Sequence, residues 1–244
     1  GKVDAIWFDG WWDHDEDSVP FNWQLPEQYR MIHSLQPACI IGNNHHQTPF
    51  EGEDMQMFER DIPGENKSGL SGQSISQLPL ETCQTLNGMW GYKIKDQDYK
   101  SSKELIRLLV RTAAKGANLL LNIGPQPNGE LPATALDRLA DMGKWLNGKA
   151  GESIYATVSG NINVGDSIVS TMGKGKNAPL YIHVLSDTVP SSVTLPIKSK
   201  IKNAVNLENG NKIKYQRNGK AGTISFMTDR QGNDNTDYII KVEF

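Results

Sequence analysis

At 244 residues the chain is long enough for one large domain or two smaller ones, and a 37% hydrophobic content supports a buried core. Its net charge of −3 gives no basic footprint for nucleic acid, and no apolar run approaches the roughly 18 residues of a membrane span. Cys39 and Cys83 lack the Cys-x-x-Cys spacing of a metal site, and their apolar surroundings favour free thiols over a disulfide.

The first element is Ala5-Ile6-Trp7-Phe8, a short apolar run that reads as a buried strand and stops at Asp9-Gly10. Trp11 and Trp12 follow, so a carboxylate where a strand runs out stands beside an apolar wall or a sugar-stacking platform. The competing reading of Asp9 is the start of an ordinary Asp-Gly turn. Residues 13–18 read as an acidic, solvated loop, with a cation or substrate rim as the competing reading. Residues 26–35 read as a helix with Pro26 at its start and Tyr29, Ile32 and His33 turned inward. Ala38-Cys39-Ile40-Ile41-Gly42 is a second short strand, ending in the polar cluster Asn43-Asn44-His45-His46. A polar cluster past each strand end is the pattern of a parallel α/β sheet.

Residues 47–80 show little regular pattern, yet Gly52 to Gly64 are dense in carboxylates. A structureless stretch of that length is unexpected inside a compact domain unless it is functional. Residues 80–85 are expected to be a strand, leading to Trp90-Gly91-Tyr92. Ser101 or Ser102 caps a helix over residues 103–115, with Gly116 as its stop. Residues 118–125 are a continuous apolar strand, as expected where both faces are covered. After the Asn128-Gly129 turn, Pro132 opens a helix to about residue 146. Beyond Tyr155 helical periodicity disappears. Short alternating runs at residues 180–185, 192–195, 213–215, 223–227 and 238–244, with Asn209-Gly210 and Asn218-Gly219 turns between, read as a small antiparallel β-sandwich. The boundary falls near residues 151–160.

Acids on strand-end loops, tryptophans nearby and no metal motif point to glycoside hydrolysis, which needs one carboxylate as nucleophile or base and another as proton donor. Spacing alone does not choose the second acid. Glu53, Glu59, Glu65 and Glu81 are all within reach by sequence.

The stretches Trp7-Phe8-Asp9-Gly10, Asn43-Asn44-His45-His46, Gly52-Glu53-Asp54, Glu59-Arg60-Asp61-Ile62-Pro63-Gly64, Leu80-Glu81-Thr82-Cys83, Trp90-Gly91-Tyr92, Gly116-Ala117-Asn118-Leu119-Leu120-Leu121-Asn122-Ile123-Gly124-Pro125 and Gly151-Glu152-Ser153-Ile154-Tyr155 occur in one order. In that order they resemble the α-L-fucosidases of family 29 of the glycoside hydrolases. The resemblance is strong over residues 3–157, and it implies a partial (β/α)8-like (TIM-type) catalytic barrel over residues 1–152 and a β-sandwich domain over residues 153–244. It implies a retaining exo-α-L-fucosidase acting by double displacement on a fucosylated oligosaccharide or glycoconjugate. No cofactor or metal is implied. Asp9 matches the family's nucleophile position, and Glu59 matches the acid/base, separated from Asp54 by four residues and shortly before Pro63-Gly64. Glu81 is the runner-up and Glu53 stands behind it. Trp7, Trp11, His45 and Trp90 are the substrate-binding candidates, His45 standing where some relatives place a sugar-reaching arginine; core packing is the competing reading for Trp11 and Trp90, and loop structure for His45.

Members of the family carry further chain before the nucleophile strand. This chain is therefore expected to lack the N-terminal half of the barrel, to be supplied in cis or in trans, and to have negligible activity alone. The alternative is an inactive carbohydrate-binding or assembly fragment. The resemblance also implies a secreted, periplasmic or lysosome-like setting, and composition and charge lead to the expectation of no membrane span and no nucleic-acid partner.

Overall fold

The backbone ladders of this chain sort into one parallel sheet and two antiparallel ones. The computed structural model describes residues 1–230 and 232–244, which divide into two compact units: Gly1–Thr85 with Ala117–Asn122, and Leu86–Gly116 with Ile123–Phe244.

The first unit contains β1 (Ala5–Phe8), α1 (Leu25–Leu35), β2 (Ile40–Asn43), β3 (Met55–Glu59), β4 (Leu80–Thr85) and β5 (Ala117–Asn122). The strands lie side by side in that order and every neighbouring pair is parallel. This is the topology of part of a (β/α)8-like barrel, with all strand C-termini at one edge of the sheet. The register pairs Trp7 with Gly42, Met57 with Glu81, and Glu59 with Cys83, which places Trp7, Glu59, Glu81 and Cys83 on one face. Gly42 packs closely there: a Cβ would lie 3.0 Å from Met55 Cγ and 3.1 Å from Met57 Sδ, so a larger residue would have to displace those methionine side chains. On the opposite face Leu25 and Tyr29 of α1 pack on Ile41 and Phe8.

Three expectations need correction. β1 is an edge strand, paired only with β2 among the described residues, and Trp7 is 39% exposed rather than buried. The same holds for β5, whose apolar run is covered on neither face completely; Leu120 is 37% exposed. A continuous apolar run reports what a strand is suited to face, and here the sheet edge leaves part of that surface open. The third is β3 itself, inside the stretch that shows little regular pattern. Met-Gln-Met-Phe-Glu offers no β-branched residue, so its strand state follows from pairing with β2 and β4 rather than from propensity.

In the second unit α2 (Ser102–Ala114) begins at a complete capping box: Ser101 accepts from the Glu104 N–H while the Glu104 carboxylate accepts from the Ser101 N–H. These bonds hold the Glu104 carboxyl below the usual range. α3 (Ala133–Asn147) follows. The remaining strands are β6 (Thr157–Ser159), β7 (Ile168–Gly173), β8 (Leu180–Val184), β9 (Ser192–Leu195), β10 (Asn203–Asn206), β11 (Lys214–Asn218), β12 (Thr223–Met227) and β13 (Tyr238–Glu243). They form antiparallel sheets ordered β10-β13-β8-β7-β6 and β11-β12-β9, a sandwich closed on Ile182, Val184, Leu195, Ile224, Phe226 and Ile240. Cys39 and Cys83 are free and buried. No helix among the described residues is long and apolar enough to cross a membrane.

Candidate active site

The parallel sheet delivers three chain segments to its C-terminal edge, and each brings polar side chains. After β1, Asp9 meets Gly10, whose φ of 80° lets the chain turn into the short 3-10 helix Trp11–His14. The Gly10 N–H donates to Asp9 Oδ1 at 3.0 Å.

After β2 come Asn43 to His46. Asn43 donates to the Tyr29 hydroxyl, and that hydroxyl donates to Glu53 Oε1 at 2.9 Å. Burial, with the Glu53 carboxylate adding to it, pushes the Tyr29 hydroxyl well above its ordinary range, so it remains a donor. His45 also turns to Glu53, its Nε2 lying 3.0 Å from Oε1. Its Nδ1 accepts the Gln47 N–H, so the ring proton sits on Nε2 and is given to Glu53. His45, Glu53 and Tyr29 thus form a buried polar network, with Phe50 and Trp11 against the His45 ring. Trp11 further contacts Trp23 and Phe50 and belongs to the apolar cluster under α1.

His46 goes the other way. With φ of 59° it takes a left-handed conformation, its Nε2 lies 2.9 Å from Glu59 Oε2, and its ring stacks flat on Trp12 at 4.7 Å. Arg60, directly after Glu59, is also left-handed, with φ of 60° and its Nε 3.9 Å from Glu59 Oε1. Backbone strain of this kind persists where surrounding structure holds it. Two such residues therefore flank the same carboxylate.

Glu59 ends β3, 9% exposed, and Asn44 connects it to Asp9: Asn44 Nδ2 lies 2.9 Å from Glu59 Oε2 and 3.3 Å from Asp9 Oδ1. Those two oxygens are at most about 6 Å apart, which includes the roughly 5–5.5 Å between the carboxyl groups of retaining glycosidases. Beneath them on β4 sits Cys83, whose thiol is pushed up to about 12 by burial and then by the charges of Glu59, Glu81 and Asp9. That thiol is a neutral floor group rather than a nucleophile. Glu81 lies two residues back from Cys83 on the same strand face, in register with Met57, and burial raises its carboxyl. Glu59, paired with Cys83, is nearer the C-terminal edge.

The structure therefore brings Asp9 and Glu59 together and sets Glu81 further back in the same face. Trp7 is exposed on that face, two residues before Asp9. Trp90 belongs to the second unit. Asn44, His46 and Trp12 are the further neighbours of the two acids; the sequence marks Trp12 as a wall beside Asp9 and Asn44 and His46 only as members of a polar cluster, without a role for either. Their signal is position, in the loops that follow β1 and β2 at the C-terminal edge of the sheet. Among the described residues no group of three or more His, Cys, Asp or Glu is placed to hold a metal ion.

Comparison with known proteins places this geometry in context. Residues 1–151 match the family model for α-L-fucosidase. The chain is 42% identical over 80 residues to the plasma α-L-fucosidase of Rattus norvegicus, covering 32% of this chain and 17% of that one. It is 27% identical over 194 residues to the tissue α-L-fucosidase of Macaca fascicularis, covering 74% and 37%. Among solved structures, α-L-fucosidase isoenzyme 1 from Paenibacillus thiaminolyticus superimposes with a TM-score of 0.76 and 29% identity over 100% of this chain and 58% of that one. The chain thus spans less than two thirds of the length of each of these relatives.

Proposed function

This chain belongs to the α-L-fucosidase family, and from that premise we propose that it carries the two catalytic carboxylates of a retaining exo-α-L-fucosidase. The observation that carries the reading is the pairing of Asp9 and Glu59 across one amide at the C-terminal edge of a parallel sheet. The substrate is a terminal α-L-fucosyl residue of an oligosaccharide or glycoconjugate.

In the first step an Asp9 oxygen forms a bond to the anomeric carbon as the glycosidic C–O bond breaks, and Glu59 gives its proton to the departing oxygen. Glu59, now ionised, takes a proton from water; that water attacks the anomeric carbon, and the ester bond to Asp9 breaks. Asn44 and His46 both address Glu59 Oε2, so the proton is exchanged through Oε1, which Arg60 Nε approaches to 3.9 Å. His46 and Trp12, stacked beside the acid, line the side from which the leaving group departs. Trp7 on the open face supplies an apolar wall for the sugar. His45, whose ring is spent on Glu53, supports this rim from below.

We further propose that the sheet is one side of a barrel closed by additional strands, in cis or in trans. The open edges of β1 and β5, with Trp7 and Leu120 exposed on the face that holds the acids, support closure. The sandwich over residues 153–244 accompanies the barrel as a separate domain, and a secreted, periplasmic or lysosome-like setting suits a glycan substrate.

The test is product stereochemistry followed by NMR on an aryl α-L-fucoside, with Asp9→Ala as control. Retention, with turnover lost in the variant, is the expected result. Inversion contradicts the mechanism. Turnover by the 244-residue chain alone at the level of a complete relative contradicts the need for closure. Glycan affinity equal in wild type and Asp9→Ala, with no turnover by either in any closed assembly, favours a binding fragment.

A further inference from the structure

Asn44 occupies a position that neither packing nor fold formation explains. It follows β2, and its backbone N–H donates to Phe8 O at 2.9 Å, which ties it to the last residue of β1 beside Asp9. Its side chain is almost wholly buried, at 3% exposure. A primary amide has two N–H donors, and the Asn44 nitrogen lies within hydrogen-bond reach of two different carboxylates.

The other end of the amide sharpens the point. Asn44 Oδ1 is buried and has no hydrogen-bond partner among the described residues. An empty buried acceptor is destabilising. Turning the amide over does not relieve it, because the oxygen would then face both carboxylates. The orientation is dictated by the two acids, at the expense of the residue's own acceptor.

The geometry points to Asn44 as the positioning residue that sets the spacing of the two acids and supplies the donor that follows the charge between them. This rests on the retaining reading of Asp9 and Glu59. Before the first step Asp9 is the ionised partner. Forming the ester removes that charge, and giving up its proton places a charge on Glu59. Hydrogen bonds to an ionised acceptor are stronger than to a neutral one. One fixed amide, with a hydrogen directed to each carboxylate, therefore stabilises the charge at either end of the step without moving. The second step reverses the transfer through the same atoms. His46 also holds Glu59, its Nε2 2.9 Å from Oε2, whereas the Asn44 amide reaches both acids.

The deciding experiment needs no turnover. In the 15N-labelled 244-residue chain, the side-chain amide protons of Asn44 are compared between wild type, Asp9→Asn and Glu59→Gln, both near-isosteric. Each substitution is expected to move upfield the proton that faces it, a different one in each variant. If either substitution leaves both protons in place, the bridge is refuted. A second readout uses the closed, active assembly. Asn44→Ala and Asn44→Asp are expected to lower kcat by roughly a hundredfold, the scale of a misplaced reacting group, with KM little changed. A kcat per active site near that of wild type in both variants overturns the role, whatever happens to melting temperature. Absence of turnover in every assembly counts against the fucosidase reading and leaves the amide result to decide the bridge.

Discussion

The two units of this chain bury different things. In the first unit, Asn43, Asn44, His45, Glu59 and Asp61 are buried at or just past strand ends and Glu53 in the loop before β3, while Trp7, Ile40 and Leu120 stay exposed. In the sandwich the strands turn Ile182, Val184, Leu195, Ile224, Phe226 and Ile240 into a closed apolar core. Its buried His183 is held through both ring nitrogens, by Asp237 at 2.8 Å and Thr171 at 3.2 Å. One region uses burial to hold charged groups in fixed geometry, and the other uses burial to stay folded. The difference teaches where to look for function: at polar groups kept from water with apolar surface left open beside them.

Substitutions sharpen that contrast, the largest at the acids. Glu59→Gln is expected to lower turnover by roughly 10²–10⁴-fold, the contribution of a general acid–base group, while circular-dichroism melting shows no loss of stability. A comparable loss of both would mean that Glu59 serves the fold. Cys83 tests the electrostatics of the same face. With its thiol pushed up to about 12, alkylation by iodoacetamide at neutral pH should run roughly a thousandfold slower than for an unperturbed thiol titrating near 8.5, and speed up on unfolding. Rapid labelling of native Cys83 would show that the floor is neither buried nor anionic.

In the sandwich the expected effects are structural. Phe226→Ala removes a fully buried ring and should cost about 3–5 kcal/mol in denaturant unfolding. A value below about 1 kcal/mol, less than a Phe-to-Ala change in a packed core costs, would mean that the core is not closed as described. Ser101→Ala breaks the capping box of α2 and should cost about 1 kcal/mol; Ser102→Ala should not reproduce it. The smallest effect is at Asp229. Burial raises its carboxyl, but donors from Tyr238, Asn206, Asn209 and Asn211 outweigh that and hold it below the usual range. A carboxyl depressed on folding contributes stability that is complete above the unfolded value, about 4, and is lost as pH falls through the folded one. The stability difference between wild type and Asp229→Asn should therefore shrink as pH falls below about 4. A difference that stays constant with pH would show that those bonds are not ionic.

Much of this fold was legible residue by residue. The runs at 80–85, 192–195 and 223–227 coincide with β4, β9 and β12, because alternation and turn residues bound them on both sides. Ser101 and Gly116 bracket α2 because capping chemistry is local. β3, β6, β7 and β10 were not legible, being short strands whose state depends on partners distant in sequence. At the candidate site the order of motifs leads to Asp9 and Glu59. Asn44 and His46 are a different matter. Whether His45 or His46 meets Glu59 turns on a left-handed φ at residue 46, which the sequence of a histidine pair does not announce.

The central claim is that Asp9 forms the covalent bond to fucose. In whichever assembly of this chain turns over fucoside, incubation with a 2-fluoro-fucosyl fluoride followed by peptide mass mapping tests it directly. One added fucosyl-type mass is expected on the peptide that contains Asp9, absent in Asp9→Asn. A label on Glu53, Glu59 or Glu81, or turnover that survives Asp9→Asn, would contradict it.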